Sequence, residues 1–172
     1  MVYNYLKMPL VRKKTIFAVG LLVAVIIIGV ALSFIDGGAT KRTRVAIGRQ
    51  TIYVEVADTM EAQARGLSFR NSIGPNDGML FVFDSPGNYG FWMKDMRFPI
   101  DIVWINNDKV VGFEENIDPQ IGVQAKDLKI YYPPEPANRV LEIRASGVGN
   151  LGIRTGDRFQ IQSFDRTQDL RP

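Results

Sequence analysis

Residues Ile16 to Ile35 carry no charged side chain and are broken only by Gly20, Gly29 and Ser33. At the helical rise of about 1.5 Å per residue this run spans roughly 30 Å, the hydrocarbon thickness of a bilayer. A helix buried in a water-soluble protein keeps a polar stripe, whereas this segment is apolar on every side. The pattern predicts a transmembrane helix over residues 15–35, preceded by a basic tail at 1–14.

The flanks set the orientation. Lys7, Arg12, Lys13 and Lys14 precede the run with no acidic residue among them, and the positive-inside rule places such a flank in the cytoplasm. The remainder of a single-pass protein is then expected outside, at the cell surface or in the periplasm. A cleaved leader is the competing reading, with Ala31-Leu32-Ser33 or Gly37-Gly38-Ala39 as small-residue sites. The run exceeds the roughly 7–15 apolar residues of such leaders, which favours an uncleaved signal-anchor.

The net charge of +3 misleads until it is located. Four of the 21 basic residues precede the apolar run, leaving 17 against 18 acidic ones and a net charge of about −1. Such a domain lacks the basic excess of a nucleic-acid binder, and no nucleic-acid partner is expected. The chain has neither cysteine nor histidine, which excludes thiol nucleophiles, disulfides, zinc sites of the Cys/His type and His-based triads. No metal and no cofactor are expected.

After a short linker at 36–43, residues 44–165 read as a single domain, with a tail at 166–172. Arg44–Ile47 and Gln50–Ala57 flank Gly48-Arg49, a pair suited to a tight hairpin, and Ile52, Val54 and Val56 alternate with Tyr53 and Glu55. Asp58-Thr59 offers N-cap oxygens for a helix over Met60–Arg65, which Gly66 can end. The turn residues Pro75-Asn76-Asp77-Gly78 lead into an apolar strand at Met79–Phe83. Further strands are expected at Gly90–Met93, Ile100–Ile105, Lys109–Glu115, Arg139–Arg144 and Arg158–Phe164, with a short helix or tight loop across Ser146–Ile153. The proline-rich Tyr131–Pro136 reads as a stiff surface loop. Short strands at close spacing argue for a mainly β, barrel-like fold with one or two short helices.

The cluster Gly78-Met-Leu-Phe-Val-Phe-Asp84, followed by Phe91-Trp-Met-Lys-Asp-Met96 and Phe98-Pro-Ile-Asp-Ile102, resembles the family known as domain of unknown function 192. Val54–Asp58, Ala64–Leu67, Val140–Ile143 and Gly152–Asp157 extend the resemblance over nearly the whole domain. It implies a small β-barrel-like domain, often exported or membrane-tethered in prokaryotes, and no established activity.

Asp101 shares a strand face with Val103 and Ile105 while Ile102 and Trp104 point the other way. A carboxylate in a strand that is apolar on both faces needs a partner, because desolvating it alone costs several kcal/mol. A nearby Arg or Lys, backbone amides at a loop cap, or a bound ligand meets that need, and Arg65 and Lys94 are the basic candidates that the family pattern offers. Trp92, Met93, Lys94 and Asp95 set a ring, a thioether and two charges side by side, a composition that suits both a ligand pocket and ordinary core. Arg65, Trp92, Lys94 and Asp101 are expected to converge on one cleft. The candidate binding set is therefore Arg65, Trp92, Met93, Lys94, Asp95 and Asp101, with no catalytic residue assigned.

Two function classes follow. One is a non-catalytic binding or interaction module at the membrane surface, for a small molecule, a glycan or a partner protein. The other is a hydrolase working with carboxylates alone, for which Asp58, Asp95 and Asp101 are the available acids.

Overall fold

The computed structural model describes residues 42–162. The predicted membrane segment at 15–35, its basic tail and the terminal tail at 166–172 lie outside them, and within the described residues no helix is long and apolar enough to cross a membrane.

The described residues are mainly β. Nine strands are joined by two short helices: β1 (Arg42–Ile47), β2 (Gln50–Ala57), α1 (Met60–Arg65), β3 (Asp77–Gly87), β4 (Phe91–Trp92), β5 (Ile100–Asn106), β6 (Lys109–Ile117), β7 (Ile130–Tyr131), β8 (Ala137–Arg144), α2 (Gly147–Leu151) and β9 (Phe159–Gln162). Seven strands make one sheet in the order β6-β5-β8-β3-β2-β1-β9, and β4 pairs with β7. Neighbours are antiparallel except β2 and β3, which α1 and the following turn connect as a parallel pair. The sheet curls into a half-barrel whose ends meet at one rim. There Lys109 bridges Arg158, the amide of Val110 donates to Asp157 O at 2.9 Å, and that of Gly156 donates to Val110 O at 2.8 Å.

Alternation along the strands builds two cores, one on each sheet face. Val45, Ile52, Val54, Leu80, Val103, Ile105, Leu141, Ile143 and Phe159 fill the inside of the curl. Met79, Phe81, Ile100, Ile102, Trp104 and Val140 turn outward. The segments after α1 and around β4 cover that outer layer with Leu67, then Phe91, Met93, Met96 and Phe98. The central strands β3, β5 and β8 are thus buried on both faces, which explains their near-continuous apolar runs.

Most expected elements stand where the sequence places them. Gly48 takes the left-handed φ of +57° that the β1–β2 turn needs, and the Thr59 hydroxyl caps α1 by accepting from the Ala62 amide at 3.2 Å. One loop is shorter than expected, because Tyr131 joins Ile130 in β7 and pairs with Phe91. Pro134 then packs over Gly112, where a Cβ would lie 2.5 Å from the proline ring.

Candidate functional site

A cleft of about 250 Å³ opens on the outer face of the sheet. Three segments shape it. From α1, Gln63 ties the helix to β3 by donating to Val82 O at 2.8 Å, and Arg65 reaches the rim. From β3 come Phe81 and Phe83, and from the turn and strand beyond them Tyr89, Phe91 and Trp92. The rings pack on one another, Phe81 edge-on to Phe91 at 4.9 Å between centroids and Tyr89 stacked on Phe83 at 3.7 Å. The segment after α1 is fastened to the loop after β4, with the Ser68 hydroxyl donating to Lys94 O at 2.8 Å and the Phe69 amide to Asp95 O at 2.9 Å.

The one carboxyl in the wall is Glu142 of β8. It faces Met79 on one side and Ile102 on the other, so both lateral neighbours are apolar. The side chain is 5% exposed and its Oε2 has no hydrogen-bond partner. Burial pushes the carboxyl up to about 8, only partly opposed by the Arg70 guanidinium, so at neutral pH the group is mostly protonated. Arg70 is otherwise engaged, donating from Nη1 and Nη2 to the two oxygens of Glu55 at 2.6 Å each. That double hydrogen bond holds Glu55 below its ordinary value against the opposing effect of its burial.

The six candidate residues do not share one cleft. Arg65 and Trp92 line the cleft with Glu142. Met93, Lys94 and Asp95 border a neighbouring depression of about 380 Å³ against Phe69, Ile121 and Val123, and the Lys94 ammonium stands 6.0 Å from the Trp92 ring centroid. The expected convergence of Asp101 with the basic residues is corrected. Alternation in β5 turns Asp101 inward with Val103 and Ile105, onto the opposite face of the sheet from the cleft. Its carboxylate is fully buried and filled by main-chain donors: Asn116 N at 2.7 Å, Ser146 N at 3.2 Å and Val148 N at 2.8 Å. It caps the loop into α2, and no arginine or lysine pairs with it among the described residues.

Sequence reasoning does not single out Glu142. The signal was present, since Val140-Leu-Glu-Ile143 is an apolar strand holding one acid, the same pattern that draws attention to Asp101. Among the described residues no three Asp or Glu side chains are grouped to hold a metal ion.

Comparisons with known proteins bear on this domain as a whole. The family model described as uncharacterized ACR, DUF192, matches residues 42–161. No curated protein matches the chain. Two solved structures are similar. A candidate transcription regulator from Sinorhizobium meliloti is 30% identical with a TM-score of 0.63, the match covering 71% of this chain and 95% of that one. A protein of unknown function from Novosphingobium aromaticivorans is 28% identical with a TM-score of 0.65, covering 73% and 89% respectively.

Proposed function

The chain belongs to the DUF192 family, and within that uncharacterised family we propose that it is a membrane-anchored, extracytoplasmic binding module whose outer-face cleft takes a small molecule. The observation that carries this reading is the cleft itself: five aromatic residues around a buried carboxyl that lacks a partner. Such sites combine a large apolar contact area with a few polar groups that fix orientation. At about 250 Å³ the space lies just below the roughly 300–1,000 Å³ of drug-sized pockets, which suits one ring or a short branched chain better than a glycan.

A hydrolase working with carboxylates alone needs two acids facing one space, as nucleophile or base and as acid. Glu142 is the single carboxyl lining this cleft, while Glu55 is held by Arg70 and Asp101 by main-chain amides. These engagements support binding over catalysis. Nucleic acid is not part of the proposal, because residues 42–162 hold 14 basic against 15 acidic side chains. The regulator description belongs to the Sinorhizobium protein.

Anchoring and placement rest on the apolar run and its basic flank. A reporter fused after Pro172 should be active only outside the cytoplasm, and cytoplasmic activity overturns the placement. For the cleft, ligand-observed NMR on the full chain with small ring compounds should show contacts that disappear in Trp92→Ala. Contacts indifferent to that change would count against the cleft.

A further inference from the structure

We infer that the outer-face cleft is a site for an organic cation, a primary ammonium carried on a small aromatic or branched aliphatic group, with Glu142 as its counter-ion. The inference rests on the binding reading above and names its ligand class.

Three observations converge on a positive charge. Glu142 is almost completely buried, flanked by Met79 and Ile102 where it meets the cleft, and its Oε2 has no donor among the described residues. A buried acceptor without a donor is destabilising, so a ligand that brings an N–H restores what folding removed. Second, the lining is aromatic: Phe81, Phe83, Tyr89, Phe91 and Trp92. Aromatic rings attract cations through their quadrupole and offer nothing comparable to an anion. Third, the charged groups near the carboxyl are accounted for. Arg70 is bound to Glu55 by two hydrogen bonds and does not bond Glu142. Arg65 is an exposed rim residue, where water and salt screen its repulsion. Glu142 lies in the low-dielectric wall, where an ion pair is strongest.

The proton balance is simple. The ammonium enters charged, Glu142 loses its proton to solvent, and a carboxylate–ammonium pair replaces a neutral carboxyl. Because Glu142 is mostly protonated below about 8, binding at pH 6.5 should release close to one proton per ligand, roughly the full difference between the two charge states. Ammonium binding and proton release are thus one event.

The test uses the full chain in detergent at pH 6.5, titrated calorimetrically with 2-phenylethylammonium, 3-phenylpropionate and 2-phenylethanol in two buffers of different ionisation enthalpy. The cation should bind tightest, release about one proton per molecule, and lose about ten- to a hundredfold in affinity in Glu142→Gln, as expected for losing a hydrogen bond to a charged group. Thermal unfolding of Glu142→Gln establishes that the variant is folded. Cation affinity unchanged in that variant, or no greater than that of the alcohol, overturns the cation assignment. If phenylpropionate or the alcohol binds instead, and Trp92→Ala abolishes it, the cleft stands as a binding site and only its ligand class falls. If none of the three binds at millimolar concentration, both readings fall.

Discussion

Arg70 grips Glu55 through both terminal guanidinium nitrogens and both carboxylate oxygens, at 2.6 Å each, and by doing so leaves Glu142 without a partner. Glu55, Met79 and Glu142 lie in register across β2, β3 and β8, so one arginine stands beside two outward-facing carboxyls and bonds only one. Planar, two-point hydrogen bonding is what an arginine provides and a lysine does not. Arg70→Lys should therefore lower stability by about 1 kcal/mol and Arg70→Met by about 1–2 kcal/mol, the values being moderated by partial exposure. Because the folded-state value of Glu55 is depressed, its contribution is present above the ordinary glutamate range and is lost as pH falls through the depressed value. Denaturant midpoints below pH 5 should show wild type losing stability that Arg70→Met has already lost.

Glu142 acts in the opposite direction and in a different window. Its folded-state value is raised from 4.5 to about 8, so the folded form binds more protons than the unfolded chain between those values. Stability is fully present below the lower value and falls as pH rises through the upper one, by an amount on the order of a few kcal/mol. Glu142→Gln keeps the shape without the titration. The variant should be more stable than wild type at pH 8.5, with a flat profile from pH 5 to 8. A parallel decline in both proteins would contradict the burial of an unpaired carboxyl.

Gly78 is required by the same strand pair. A Cβ there would lie 2.7 Å from the Glu142 carbonyl oxygen, and main chain at the centre of the sheet has little room to yield. Gly78→Ala should separate β3 from β8 and cost about 2–3 kcal/mol through overpacking, seen as a lowered denaturant midpoint. Gly122→Ala is a less demanding comparison, since nothing lies within 4 Å of its Cβ position, although its φ of +79° leaves a backbone cost of about 1 kcal/mol.

What the sequence reveals and what it conceals divide along the range of the interactions. The β1–β2 hairpin, the capped α1 and the β5–β6 pair depend on neighbours in the chain; Gly48 and Thr59 announce the first two, and Asn107, at a φ of +54° between β5 and β6, the third. The parallel partnership of β2 with β3 and the insertion of β8 between β3 and β5 depend on which apolar faces meet, and periodicity is silent on that. The aromatic side of the cleft was legible in Trp92. Its carboxyl was not, because an acid in an apolar strand shows the need for compensation without showing how it is met. Asp101 and Glu142 look alike in sequence, yet one receives three main-chain donors and the other has an oxygen with none. The difference comes from α2 and the β6 end, which converge only in the folded chain.

That contrast yields the last prediction. Asp101 accepts from Asn116 and Ser146 at one oxygen and from Val148 at the other, and a carboxylate can serve all three because it carries acceptors on both arms. In Asp101→Asn one arm becomes an NH₂ group, which would point a donor at the Val148 or Ser146 amides and leave at least one buried N–H unsatisfied. The expected loss is about 2–4 kcal/mol in denaturant unfolding. Trp92, 47% exposed at the cleft rim, should behave in the reverse manner, with Trp92→Ala changing stability by less than about 1 kcal/mol while removing ligand contacts. If Asp101→Asn left stability intact and abolished binding instead, the assignment of Asp101 as the cap of the α2 loop would be wrong, and the inner face of the curl would become the place to look for a site.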